Sequence, residues 1–137
     1  MSSDSTFPKS LVHTGEKYQC VREVVFSCVG DASNGSIPDT NLCHVDGLDT
    51  PLSGWGLWAL EIVPGATGPS ASSDVYLKSA DGTDFLDGYG VDGLNESTNK
   101  LIYPQPSIIP IGSTLTLDID NQSVASATYK VKLYLIR

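Results

Sequence analysis

Between Thr114 and Ile136 the apolar residues fall on alternate positions. Leu115, Leu117 and Ile119 alternate with Thr114, Thr116, Asp118 and Asp120, and the segment DNQSV then turns the chain. After it, Ala127, Tyr129, Val131, Leu133 and Leu135 alternate with Thr128, Lys130, Lys132, Tyr134 and Ile136. Successive side chains of a strand point to opposite faces, so a period of two marks half-buried strands. The pattern predicts a hairpin with one inward apolar face. No window of useful length free of Gly and Pro carries the three-four spacing of an amphipathic helix, which leaves an all-β chain.

The rest of the chain repeats this texture in shorter pieces. From Lys17 to Val29, Tyr18, Cys20, Val24, Phe26 and Cys28 share one parity, with Arg22 breaking the apolar face. The run GDASNGSIPD is a loop, since each of its residue types supplies turn geometry or a local hydrogen bond. Leu42 to Val45 reads as a short strand. Gly56 to Val63 is apolar on both faces, which suits a central strand or a subunit contact, and Trp58, Leu60 and Ile62 are expected in the core. Asp74 to Ala80 alternates again and runs into Ala80-Asp81-Gly82-Thr83, where Asp-Gly signals a tight hairpin turn. Lys100 to Tyr103 and Ile108 to Ile111 are framed by Pro104, Pro106 and Pro110, which confines them to edges. The expected architecture is a single two-sheet antiparallel sandwich of about seven or eight strands, jelly-roll or Greek-key in connection.

Residues 1–16 are polar, carry Pro8 and Gly15, and show no period. They are expected to form an extended N-terminal arm to a sandwich domain spanning 17–137. The arm's Phe7, Pro8, Leu11 and Val12, together with Trp55, are the candidate partner contacts.

At 137 residues the chain can bury a proper core without staples. Sixteen acidic against eight basic residues leave a net charge of −8, a field that repels phosphate backbones and anionic lipid, so neither nucleic acid nor membrane is expected as a partner. No segment approaches the ~20 apolar residues of a membrane span, and MSSDSTFPKS lacks the layout of a signal peptide, so a cytosolic origin is expected. Cys20, Cys28 and Cys43 are odd in number. Cys20 and Cys28 lie on one extended segment, out of disulfide reach, and all three are expected reduced and packed.

Chemistry-bearing patterns are sparse. His44 follows Cys43, but neighbours on an extended chain face opposite ways, and His13 lies in the arm, so no nucleophile and base pair is predicted. Structural zinc would need about four Cys or His ligands, and no CxxC or HxxxH occurs. Asp81, Asp84, Asp87 and Asp92, interleaved with glycines, form a weak calcium candidate that fails the EF-hand order. Trp55 and Trp58 could stack a sugar ring, but three apart on a strand they point to opposite sides. GATGPS lacks the lysine and following helix of a phosphate loop. The expectation is a protein that is not an enzyme and uses no cofactor.

The order VVFSCVGDASNGSIPD, GLWALEIVPGATGPSASSDVYLKSADGTDFLDG, a proline-flanked connector, and GSTLTLDIDNQSVASATYKVKLYLIR resembles small β-sandwich virion proteins of tailed bacteriophages. Such proteins include capsid decoration or cement proteins, often jelly-roll trimers seated where capsomers meet, and head-tail and tail components. The resemblance implies a structural protein made in the host cytoplasm and carried on the capsid surface. Its partner would be the major capsid protein or another virion protein, and it would act as a homotrimer. The alternatives are a head-tail or tail component, or a carbohydrate- or calcium-dependent binding module.

Overall fold

The computed structural model describes residues 2–6, 21–48, 50–104 and 108–137. Among these, nine strands form: β1 Ser2–Thr6, β2 Val21–Val29, β3 Thr40–Asn41, β4 Gly56–Pro64, β5 Asp74–Lys78, β6 Lys100–Ile102, β7 Ile109–Pro110, β8 Thr116–Asp120 and β9 Thr128–Ile136. The larger antiparallel sheet has the order β1-β2-β9-β4-β6, with β7 also paired to β4, and the smaller has the order β3-β8-β5. The chain is thus an all-β sandwich. From β2 onward it passes from one sheet to the other at each step except between β6 and β7, so that β2 pairs with β9 and β8 inserts between β3 and β5. That winding is a jelly roll.

A fourth strand beside β5 is replaced by turns. The segment from Asp84 to Leu94 returns along β5 through bridges at Lys78/Asp84 and Ser73/Leu94 and a bond from Val75 N–H to the Gly90 carbonyl. The Asp81-Gly82 turn stands where the dipeptide predicts it, with Gly82 at φ +84 donating to Ser79 O at 2.9 Å. Only glycine takes that conformation without strain.

Alternation reports which face is buried. On β2, Arg22, Val24, Phe26 and Cys28 point inward, and on β9 Tyr129, Val131, Leu133 and Leu135 do so. Leu115, Leu117 and Ile119 meet them from the smaller sheet. The predicted hairpin over 114–136 is therefore corrected: both strands exist with the expected inward residues, but β8 lies in one sheet and β9 in the other. The turn between them arches across the end of the sandwich and is held by buried Gln122. Its Nε2 donates to Gly35 O at 2.6 Å and its Oε1 accepts from Ser70 N at 3.0 Å and Val124 N at 2.8 Å.

A second correction concerns Leu42 to Val45, where a strand was expected. Pairing stops at Asn41, and Leu42–His44 forms a single 3-10 turn. The Asn41 side chain caps that turn by accepting from Cys43 N at 3.1 Å and also takes Leu115 N at 3.2 Å. Edge positions for β6 and β7 agree with their proline frames.

Arg22, the polar break in β2, is fully buried. Its guanidinium donates to Thr50 O at 2.7 Å and Pro51 O at 3.0 Å and sits 5.5 Å from the Trp55 ring centre, with Arg137 on the same ring at 5.1 Å. Such partners are what a buried charge requires. Cys28 and Cys43 are free, and burial pushes the Cys28 thiol up to about 12. Cys20 and His13 lie outside the described residues.

Candidate functional site

The outer face of the larger sheet gathers aromatic side chains because of one irregularity in β4. Its register against β9 slips between Leu57, opposite Leu135, and Ala59, opposite Tyr134. Trp58 is the extra residue of this bulge, and a bulge re-aims the side chain it carries. Trp58 is consequently 46% exposed, which corrects its expected place in the core, while Leu60 and Ile62 beyond the bulge are buried as predicted.

Trp58, Ala59 and Glu61 of β4, Tyr134 of β9, and Leu101 and Tyr103 on and after β6 line a groove of 230 Å³. Leu101 and Tyr103 are about half exposed, at 50% and 51%. Tyr134 Oη donates to Glu61 Oε1 at 2.8 Å. Lys132 Nζ stands 4.0 Å from the same carboxylate oxygen and 3.9 Å from Glu23 Oε1. Burial, the Glu61 hydrogen bond and the charges of Glu61 and Glu23 push the Tyr134 phenol up to about 12, so it remains a donor through neutral pH. A second groove of 300 Å³ adjoins the first. It shares Leu101 and Tyr103 and adds Tyr89 and Lys100.

The outer face of the smaller sheet is acidic. Asp118 on β8 takes Lys78 Nζ at 2.7 Å. Burial works against its charge, but Lys78 and hydrogen bonds from Asp120 and Asp39 outweigh that and hold its carboxyl below the ordinary value. Asp120 and Asp39 are pushed up, by burial first and then by Asp118, chiefly through its hydrogen bond for Asp120 and its charge for Asp39. Asp118 is therefore the ionised member of the row, and its two neighbours keep protons longer than free aspartates do.

The calcium candidates are not brought together. The Asp84 carboxylate organises its own turn, accepting from Leu77 N and Leu86 N at 3.1 Å each and from Gly88 N at 2.9 Å. Asp81, Asp87 and Asp92 are exposed, and Asp92 contributes its backbone N–H to Asp74 Oδ1 at 2.8 Å. Among the described residues no group of three or more His, Cys, Asp or Glu could hold a metal ion.

Of the expected partner contacts, Phe7, Pro8, Leu11 and Val12 lie outside the described residues. Trp55 is 3% exposed with the guanidinium groups of Arg22 and Arg137 near its ring, which removes it from the surface and corrects its assignment as a contact residue. The exposed tryptophan is Trp58. Its cluster with Glu61, Tyr103 and Tyr134 escaped sequence reading, although the unbroken run Leu57-Trp58-Ala59-Leu60 is the kind of parity failure that signals a bulge. No protein-family model, curated protein or solved structure matches this jelly-roll chain.

Proposed function

We propose that the chain is a structural protein of a tailed-bacteriophage particle, of the capsid decoration kind, which acts as a homotrimer and clamps neighbouring capsid subunits without chemistry. The observation that carries this reading is β1. Ser2–Thr6 is the outermost strand of the larger sheet, paired residue by residue with β2 from Ser2/Ser27 to Thr6/Glu23, and residues 7–20 separate it from β2 in sequence. Among the described residues β1 has a strand on one side only, so its other edge offers backbone donors and acceptors to a neighbouring chain. The motif order and the net charge of −8, which turns away nucleic acid and anionic lipid, support a protein partner. Contacts of roughly 800 Å² per partner, repeated by symmetry, would then stabilise a shell by avidity.

Sedimentation of the purified chain with capsids and, separately, with tails tests this. Co-sedimentation with capsids and a trimeric mass in solution are expected. Deleting residues 1–16 should leave a cooperative melt and weaken attachment. Undiminished attachment by the truncated chain rejects the arm, sedimentation with tails alone rejects the capsid assignment, and sedimentation with neither rejects the virion role.

A further inference from the structure

We infer that the aromatic groove on the outer face of β4, β6 and β9 is a binding site for a neutral saccharide, with one hexopyranose ring packed against Trp58 and hydroxyl groups held by Glu61. It stands independently of the particle assignment, since β1 and the groove occupy opposite edges of the larger sheet.

Three observations converge on this chemistry. The first is the wall. Trp58, Tyr103 and Tyr134 put three aromatic side chains around one groove, and two of them are about half exposed although a folded chain gains by burying them. The C–H groups on a pyranose face are weakly positive and pack on the electron-rich faces of such rings. The second is size. At 230 Å³ the groove suits a single sugar ring rather than a drug-sized ligand, and the adjoining 300 Å³ groove, sharing Leu101 and Tyr103, continues it for a second ring. Few precisely placed polar groups in a mostly apolar wall are the usual makeup of a small-ligand site.

The third is charge, which selects among occupants. Glu61 is an acceptor able to take hydroxyl donors, one of its oxygens already receiving the Tyr134 phenol at 2.8 Å with Lys132 at 4.0 Å. A cation would find the Glu61 field already offset by Lys132, and an anion would meet the Glu61 carboxylate in the first groove of a chain of net charge −8, with Lys100 facing it only in the adjoining groove. A neutral polyol meets neither obstacle: its hydroxyls donate to Glu61 in the first groove and, in the adjoining one, accept from Lys100. The pairing also holds the Glu61 carboxylate in place before a ligand arrives, which lowers the cost of ordering it.

The test uses the full chain and ligand-observed saturation-transfer NMR, which needs no tryptophan reporter. Cellotriose, maltotriose and tri-N-acetylchitotriose are the neutral probes, choline the cationic one and trigalacturonate the anionic one. At least one neutral trisaccharide should bind with a dissociation constant of about 1 mM, the range open to so few contacting atoms. Trp58→Ala and Glu61→Gln should each weaken it about tenfold or more, equal to about 1.4 kcal/mol, with melting temperature retained. Lys130→Ala, elsewhere on the same face, should leave binding unchanged. Failure of all three neutral probes, preference for choline or trigalacturonate, self-association through Trp58 in place of sugar binding, or equal binding by the Trp58 and Glu61 variants each overturns the inference.

Discussion

The two outer faces of the sandwich are made from the same period-two alternation but carry opposite chemistry. On the larger sheet the outward positions of β4 and β9 hold Trp58, Tyr134, Glu61 and Lys132, and the charges there face one another. On the smaller sheet the outward positions of β5 and β8 hold Asp74, Lys78, Asp118 and Asp120, with Asp39 beside them, so one lysine faces several carboxylates. The net charge of the chain is thus not spread evenly. Of the two faces, the smaller sheet's carries the carboxylates in excess of its lysine, where titration has consequences, and the aromatic face is left to contacts that depend on burial and shape. An apolar patch tolerates a neighbour of any charge balance, whereas a carboxylate row repels a second copy of itself.

The largest expected effect tests whether the aromatic face is really outside. Leu60 and Trp58 lie on one strand, two residues apart, and only the bulge separates their environments. Leu60→Asp places an unpaired charge in the core and should cost more than about 4 kcal/mol, abolishing cooperative melting by circular dichroism. Trp58→Asp should stay within about 1 kcal/mol of the parent, as surface substitutions do. Unfolding by both would place Trp58 in the core after all and erase the aromatic face.

A smaller effect separates the two faces by their lysines. Lys78 Nζ is within hydrogen-bond distance of Asp118 at 2.7 Å, whereas Lys132 Nζ stands 3.9 and 4.0 Å from its two glutamates. Lys78→Met should lower the melting temperature by about 2 °C, because it also leaves the acidic row without its cation. Lys132→Met should change it by less than about 1 °C. Both differences should shrink in 1 M salt, where the screening length falls to about 3 Å. A larger loss from Lys132→Met would reverse the contrast.

Alternation made the body of the fold legible, and its limits are physical. The parity of β9 names its buried residues correctly, yet says nothing about which strand lies alongside, because β8 would show the same pattern as a hairpin partner or across the core. Asn41 ends β3 by capping a 3-10 turn, a competition between side chain and ladder that hydrophobic pattern does not weigh. Arg22 looked like a flaw in a strand face and is instead a buried cation satisfied by carbonyls from a distant loop. The groove was the least legible feature. Glu61 and Tyr134 are 73 residues apart in sequence, and only the β4–β9 register, shifted by the bulge, brings them to 2.8 Å. The acidic loop misled in the opposite direction, since the spacing of Asp81, Asp84, Asp87 and Asp92 serves turn geometry through Asp84.

The smallest effect comes from the pH response of the acidic face, and its two parts have opposite signs. Asp118 has a folded-state pKa below its ordinary value, so its contribution is fully present above the unfolded-state value near about 3.9 and is lost as pH falls through the folded one. Asp120 and Asp39 have raised folded-state values. The folded chain then holds more protons than the unfolded chain between the ordinary value and the raised ones, and stability declines as pH rises through that window. These groups together favour a stability maximum in mild acid. Asp120→Asn keeps a donor for Asp118 but removes the deprotonation. Its melting temperature should match the parent near about pH 3 and exceed it by about 1 °C once the parent aspartate has ionised, a modest gain because the group is exposed. A variant that falls below the parent as pH rises would mean that Asp120 is favoured as a charge, and the shared-proton row on this face would be wrong.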